Sequence, residues 1–192
     1  MTDWPFDPLT PGKYGVILCD PPWNFKVWSG VSDKSAAGKY DVMNLEGLTR
    51  LPVADLAAPD CMMIMWAVQA MLPEALDLMN RWGFRYKTAG SWAKQSSTGN
   101  KWAFGTGYIM RCAAEFYIVG TRGKPKSAVK NIRNLIVAPV REHSRKPDDL
   151  HTSLERMFPK ADKCELFARE SRPGWSTWGN QSTKFDDEWL AA

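Results

Sequence analysis

The residues best equipped for chemistry form the tetrapeptide Asp20-Pro21-Pro22-Trp23, directly after the apolar run Tyr14–Cys19. A carboxylate at the end of a buried strand can accept hydrogen bonds from a ligand N–H group. Two prolines have fixed φ and no N–H to compete, so they stiffen the turn and keep the Pro21 carbonyl aimed beside that carboxylate. Trp23 then supplies a flat surface for an aromatic ring. An exocyclic amine on a base is a poor nucleophile because its lone pair is delocalised into the ring. Two acceptors that hold its N–H bonds and favour a pyramidal nitrogen address that difficulty. An aspartate with the ordinary pKa of ~3.9 is too weak a base to deprotonate such an amine, so the expected role of Asp20 is electrostatic and positional. A base stacked in a duplex cannot reach such a pocket; the target must be unpaired or flipped out.

These groups need elements to position them. Tyr14–Cys19 reads as a buried strand that stops at the prolines. Residues Asn24 to Lys39 lack periodicity and read as a long loop, expected to act as a lid. Cys61–Ala67 is a second buried strand, and Leu72, Ala75, Leu76, Met79 and Trp82 recur at helical spacing until Gly83. Tyr86–Lys94, Glu115–Gly120, Leu135–Ala138 and Lys163–Ala168 read as further strands. A helix is expected to start at Pro147, with Leu150, Leu154, Met157 and Phe158 as its apolar stripe. The polar, glycine-containing stretch Gln95–Gly107 is the expected substrate-facing insertion. Its Gly-Thr-Gly lacks both a third glycine and the preceding strand of a dinucleotide fingerprint. Strands alternating with amphipathic helices predict an α/β fold, a mostly parallel sheet with helices on both faces, where ligands collect at the carboxyl ends of the strands.

Composition narrows the classes. With 192 residues and 44% hydrophobic content, one domain spanning 1–192 is expected. The four cysteines and two histidines do not cluster, so neither a disulfide framework nor a metal site is expected, and reduced cytoplasmic thiols are the default. The acid- and proline-containing start resembles no signal peptide, and no apolar run approaches a membrane span. A net charge of +4 fits a polyanionic partner, and several of the ten tryptophans could stack on bases. Lys124, Lys126, Lys130 and Arg133, in the stretch Arg122–Arg133, are expected to grip phosphates.

The sequence resembles the MT-A70-like family of adenine-N6 methyltransferases along nearly its whole length. The resemblance rests on DPPW at 20–23, YDVM at 40–43, MIMWA at 63–67, RWGF at 81–84 and WAK at 92–94. It continues through SRKPDDL at 144–150, ELFAR at 165–169 and GW-x-x-x-GNQ at 174–181. It implies a Rossmann-like methyltransferase fold in permuted motif order, with S-adenosyl-L-methionine as cofactor and adenine in a nucleic acid as substrate. By the same resemblance Asp20, Pro21, Pro22 and Trp23 form the catalytic motif, Trp23 and Tyr40 contact substrate, and Asp20 also borders the cofactor. Lys146 would hold the cofactor carboxylate, and Arg169, Asn180 and Gln181 its ribose and adenine. Glu165 is a further cofactor candidate, although a strand glutamate could equally pair with a neighbouring basic residue. Where some relatives carry His-Asn, Glu170, Ser171 and Arg172 stand here, so cofactor contacts from that stretch are not carried over. The segment Thr2–Thr10 is assigned no role.

DNA is expected over RNA for a short stand-alone chain of this type, with a homodimer or heterodimer as the candidate assembly. The competing readings are an RNA methyltransferase, a cytosine-N4 methyltransferase, and a non-catalytic nucleic-acid-binding partner. Intact Asp20 and Trp23 together with Lys146 and GNQ speak against the last.

Overall fold

A computed structural model of the chain describes residues 4–24, 43–105, 107–142 and 144–186. Its centre is a seven-stranded sheet: β1 (Tyr14–Cys19), β2 (Ala57–Ala67), β3 (Arg85–Gln95), β4 (Ala114–Arg122), β5 (Leu135–Pro139), β6 (Lys163–Leu166) and β7 (Trp175–Trp178), in the order β5-β3-β4-β2-β1-β6-β7. β1 pairs in parallel with β2 and β6, β6 with β7, and β3 with β5; β4 is antiparallel to both β2 and β3. Six strands therefore point one way and β4 the other. The sheet is mostly parallel, as the alternation of strands and helices implies.

Among the described residues three α-helices cover it: α1 (Leu45–Arg50), α2 (Leu72–Arg81) and α3 (Asp149–Met157). The period-2 geometry of the strands sorts the apolar residues into two layers. Ile17 and Cys19 of β1, with Cys61, Met63 and Met65 of β2, face Leu48 of α1 and Ala75, Leu78 and Met79 of α2. Val16 and Leu18, with Met62, Ile64 and Trp66, face Leu150 and Leu154 of α3. Both faces of the central strands are thus buried, which is why β1 and β2 read as continuous apolar runs rather than as alternating ones. Each fully buried side chain of this size contributes ~2 kcal/mol.

Two boundaries and one added strand stand out against the sequence expectation. α3 begins at Asp149 rather than Pro147, because Asp148 is the N-cap and its carboxylate is taken by Arg141 and Arg172. β6 ends at Leu166 because Phe167 turns into a left-handed conformation at φ 61°. β7, read only as a motif, adds a strand at one end of the sheet.

The chain leaves β1 for β2 on one side and returns to β6 on the other. β1 is therefore where the strand order reverses, and the crevice beyond the carboxyl ends of β1 and β6 is the position at which open α/β sheets bind ligands.

Candidate active site

Asp20 stands at that crevice. Its backbone N–H donates to the Leu166 carbonyl at 3.4 Å, extending the β1–β6 pairing by one residue. The prolines then form a tight turn in which the Trp23 N–H donates to the Pro21 carbonyl at 2.8 Å. The Pro22 carbonyl accepts from the Met43 N–H at 3.0 Å, so Met43, just before α1, is docked onto the proline turn. A carbonyl has two lone pairs, and the Trp23 contact occupies only one of those on Pro21.

Trp23 does not present the open face expected of a stacking platform. It is only 4% exposed, packs in the core beneath α1 and α2, and donates its indole N–H to the Trp66 carbonyl at 3.1 Å. A buried indole needs an acceptor, and the end of β2 supplies one. In this arrangement Trp23 braces the turn that carries Asp20. Tyr40 and residues 25–39 of the expected lid lie outside the described residues.

The charges converge on the carboxyl-terminal rim of the sheet. Lys146 Nζ lies 2.7 Å from Asp20 Oδ2 and 3.4 Å from Glu115 Oε2, with side-chain exposures of 14% for the lysine and 22% for Asp20. Glu115, at the start of β4, also meets Lys94 near the end of β3 at 3.4 Å. The lysine ammonium sits 5.5 Å from the centre of the Trp66 ring, a cation–π contact. Burial pushes the Asp20 carboxyl above the ordinary aspartate value, and Glu115 adds to this; Lys146, and more weakly Arg169, pull it back. For Glu115, burial alone would raise the carboxyl, but Lys146 and Lys94 outweigh it and hold it below the usual range.

Lys146 is held from behind. Arg141 donates to the Lys146 carbonyl and, at 2.8 Å, to Asp148 Oδ2. Arg172 donates to the other oxygen of Asp148, and Arg145 pairs with Glu170 at 2.8 Å. Ser144, in this same segment, has φ 63°. Arg169 follows β6 after Phe167, with Ala168 N–H bonded to the Trp178 carbonyl at 3.0 Å.

Asn180 lines a cleft of about 390 Å³ beyond β7, together with Thr177, Trp178 and the N-terminal residues Asp7 and Pro8. That volume lies within the usual range for small-molecule sites. Sequence reading gave Thr2–Thr10 no role, yet Phe6 is fully buried and stacks edge-on against Trp178 at 4.9 Å, which fixes this segment as one wall. Gly179 permits the close approach of the two strands here: a Cβ on it would sit 2.9 Å from Phe167 Cα. Gln181 lies next to the cleft, its side-chain oxygen 3.5 Å from Lys184 Nζ.

Glu165 is not brought to this group. Cys164 and Leu166 face the α1/α2 layer, so Glu165 between them faces α3, where His151 Nε2 meets its carboxylate at 2.8 Å. This is the pairing with a basic neighbour that the residue's position on a strand left open.

One of the residues expected to grip phosphates, Lys124, is also displaced, together with Arg122 at the start of the same stretch. Because β4 runs against its neighbours, Arg122 at its end emerges at the far rim, donating to the Ala54 carbonyl at 2.6 Å, and the Lys124 N–H is bonded to Asp60 at the start of β2. Both lie at the opposite rim of the sheet from Asp20. Glu115 and Lys94 escape sequence reading because antiparallel register cannot be read from one strand, and Arg141 because it lies in the connection after β5. The signal for the first two is a charge at the last or first position of an apolar run.

An open, mostly parallel sheet with a carboxylate and two cations at its switch point defines a protein of the Rossmann-like methyltransferase class. The chain belongs to the MT-A70 family, whose profile matches residues 14–181. It is 32% identical over 193 residues to the Type II methyltransferase M.MunI of Mycoplasma sp, an alignment covering 91% of this chain and 80% of that protein. It is 31% identical to an MT-A70-like N(6)-adenosine-methyltransferase of Arabidopsis thaliana over 88% of this chain and 24% of the relative. With the N(6)-adenosine-methyltransferase catalytic subunit METTL3 of Homo sapiens it shares 28% over 88% of this chain and 28% of the relative. The chain thus spans most of the bacterial protein but only about a quarter of the plant and human ones.

Proposed function

We propose that this protein transfers a methyl group from S-adenosyl-L-methionine to the N6 amine of adenine in DNA, acting on an unpaired or flipped base. The observation that carries the reading is Asp20, held at the switch point of the sheet 2.7 Å from Lys146. The side chains present fit the cofactor's chemistry. Lys146 and Arg169 are the cations for its carboxylate and ribose region, while Asn180 and Asp7 place polar groups in a cleft of suitable size. When bound, the cofactor would supply an electrophilic methyl group on a sulfonium.

The chain's own part is to prepare the acceptor. Asp20 accepts a hydrogen bond from the target amine and, with the remaining lone pair of the Pro21 carbonyl, holds the nitrogen with its lone pair directed at the crevice. As positive charge develops on that nitrogen, the carboxylate stabilises it electrostatically. Lys146 opposes the rise that burial causes in the Asp20 carboxyl and so favours its ionised form, and the prolines and the buried Trp23 keep it from rotating away. Proton loss from the methylated ammonium needs no strong base.

DNA is favoured over RNA because the chain aligns over 80% of a Type II methyltransferase but over only 24% and 28% of the N(6)-adenosine-methyltransferases. The test is to incubate the protein with the cofactor and matched single-stranded DNA, duplex DNA and RNA, digest each to nucleosides and weigh them. N6-methyldeoxyadenosine from DNA, absent with Asp20→Ala, is the expected result. Methylation confined to RNA, or to cytosine, overturns the assignment.

A further inference from the structure

The connection between β3 and β4 is a folded arm with paired backbone. Lys94 N–H donates to Ala113 O at 2.9 Å and Ala103 N–H to Lys94 O at 2.8 Å, and Gly105 and Cys112 exchange both backbone bonds at 2.9 and 3.2 Å. Gln69 bolts its base to the sheet: its Nε2 donates to Ala114 O and its Oε1 accepts from the Cys112 thiol, each at 3.2 Å. At the tip, Gly107 has φ 61°, and a Cβ there would lie 1.9 Å from the Met110 carbonyl, so this turn requires glycine.

What the arm displays is unusual. Trp102 is 62% exposed, Phe104 and Tyr108 are similarly open, and Ile109 and Met110 project almost fully into solvent. Single exposed apolar residues are ordinary, but five large ones within nine positions of one arm form a patch of the kind that marks an interaction surface.

Charge and location identify the partner. From Gln95 to Ala114 the chain carries Lys101 and Arg111 and no acidic residue, and the Arg111 guanidinium lies 5.7 Å from the Phe104 ring. Arm-to-arm packing of two copies would oppose these cations without neutralising them. A nucleic-acid strand offers phosphates to the cations and open base faces to the rings. The arm leaves the sheet at Gln95 and Ala114, beside the Lys94–Glu115–Lys146–Asp20 chain of charges. Met110 is five residues from Glu115, at most ~18 Å along an extended chain. That is a reach of a few nucleotides from the target base.

We propose that this arm binds the unpaired strand beside the target adenine, bases stacking on Trp102, Phe104 and Tyr108 while Lys101 and Arg111 meet phosphates. Ile109 and Met110 form an apolar tip of the kind that enters between unstacked bases. The inference rests on the nucleic-acid reading of the site.

The test uses fluorescence anisotropy with labelled oligothymidylate, which contains no adenine and so reports strand binding apart from transfer. Trp102→Ala with Phe104→Ala should weaken binding about tenfold per ring, and Trp102→Tyr with Phe104→Tyr should restore most of it. On adenine-containing single strands the alanine pair should raise KM far more than it lowers kcat. If the wild type binds and methylates DNA while the alanine pair binds oligothymidylate equally well, the arm proposal alone fails. If the wild type neither binds nor methylates any strand, the site reading fails with it. Sedimentation velocity supplies the remaining arm: a wild-type dimer that the alanine pair converts to monomer would assign the patch to a second copy and overturn the proposal.

Discussion

Lys146→Met removes the cation that Asp20 and Glu115 share while keeping the length and most of the apolar stem of the side chain. Breaking a fully buried ion pair from one side costs about 3–5 kcal/mol, because the remaining charge is left uncompensated. Here Asp20 retains 22% exposure, Lys94 still faces Glu115, and Arg169 still acts on Asp20, so a loss of ~2 kcal/mol is expected at neutral pH. For a chain of this size that lowers Tm by ~4–8 °C. The sign with pH follows from the carboxyls. Without Lys146 the Asp20 carboxyl rises further above its unfolded value, and Glu115 loses the larger of the two cationic contributions that hold it down. The penalty is therefore complete above these folded-state values and disappears once both groups are protonated in folded and unfolded chains alike. Urea unfolding of both proteins at about pH 8 and about pH 4 measures the gap, which should shrink at the lower pH. A gap of equal size at both values would show that Lys146 stabilises by packing and not by charge. Calorimetry on the same variant should show weakened cofactor binding.

Asp20→Ala should lower the single-turnover rate by ~100- to 1,000-fold, the usual cost of one electrostatic catalytic group, with cofactor affinity nearly kept; near-normal turnover removes Asp20 from the mechanism. Because burial holds its carboxyl above the ordinary aspartate value, the rate should fall on acidification at a pH higher than a solvated aspartate would give, and Lys146→Met should move that limb higher still; a limb that ignores Lys146 contradicts the coupling. Trp23→Phe strips the buried Trp66 carbonyl of its partner and should cost ~1–3 kcal/mol in stability, with kcat reduced more than KM; a variant impaired in KM alone would restore the stacking role instead. Binding to single-stranded DNA should weaken with salt by ~0.7 log units per phosphate contact per log unit of salt, and salt-independent binding would exclude a phosphate grip.

The parts of the fold legible in the sequence were those with long, uninterrupted patterns. β1 and α2 emerged from their apolar spacing and their proline and glycine stops, and β3 to β5 from their apolar runs. Helix α1 was invisible because six residues, capped by Asn44, are too few for a helical period to show. The first four residues of β2, Ala-Ala-Pro-Asp, contain a proline and an acid, so the strand's start was hidden. Asp20 stood out because a carboxylate and two prolines close an apolar run, whereas Lys146 was singled out through the family resemblance. Glu115, Lys94 and the N-terminal wall of the cleft depend on register across strands far apart in sequence, and one local window carries none of that information. Reversal of β4 is the same failure on a larger scale: it sent Arg122 and Lys124 to the wrong end of the molecule and brought Glu115 to the right one.

Ser144 and Phe167 are the two non-glycine residues with positive φ among those described, and each lies two positions before a cation of the site, Lys146 and Arg169. A left-handed residue with a side chain costs ~1–2 kcal/mol, so relaxation of either loop is downhill unless the surrounding contacts forbid it. Thermostabilising selection would therefore meet an obstacle at these joints. Variants that let residue 144 or 167 return to a right-handed or extended backbone would melt later while re-aiming the cation two residues on. Gains in heat resistance from this region should come paired with losses in cofactor affinity.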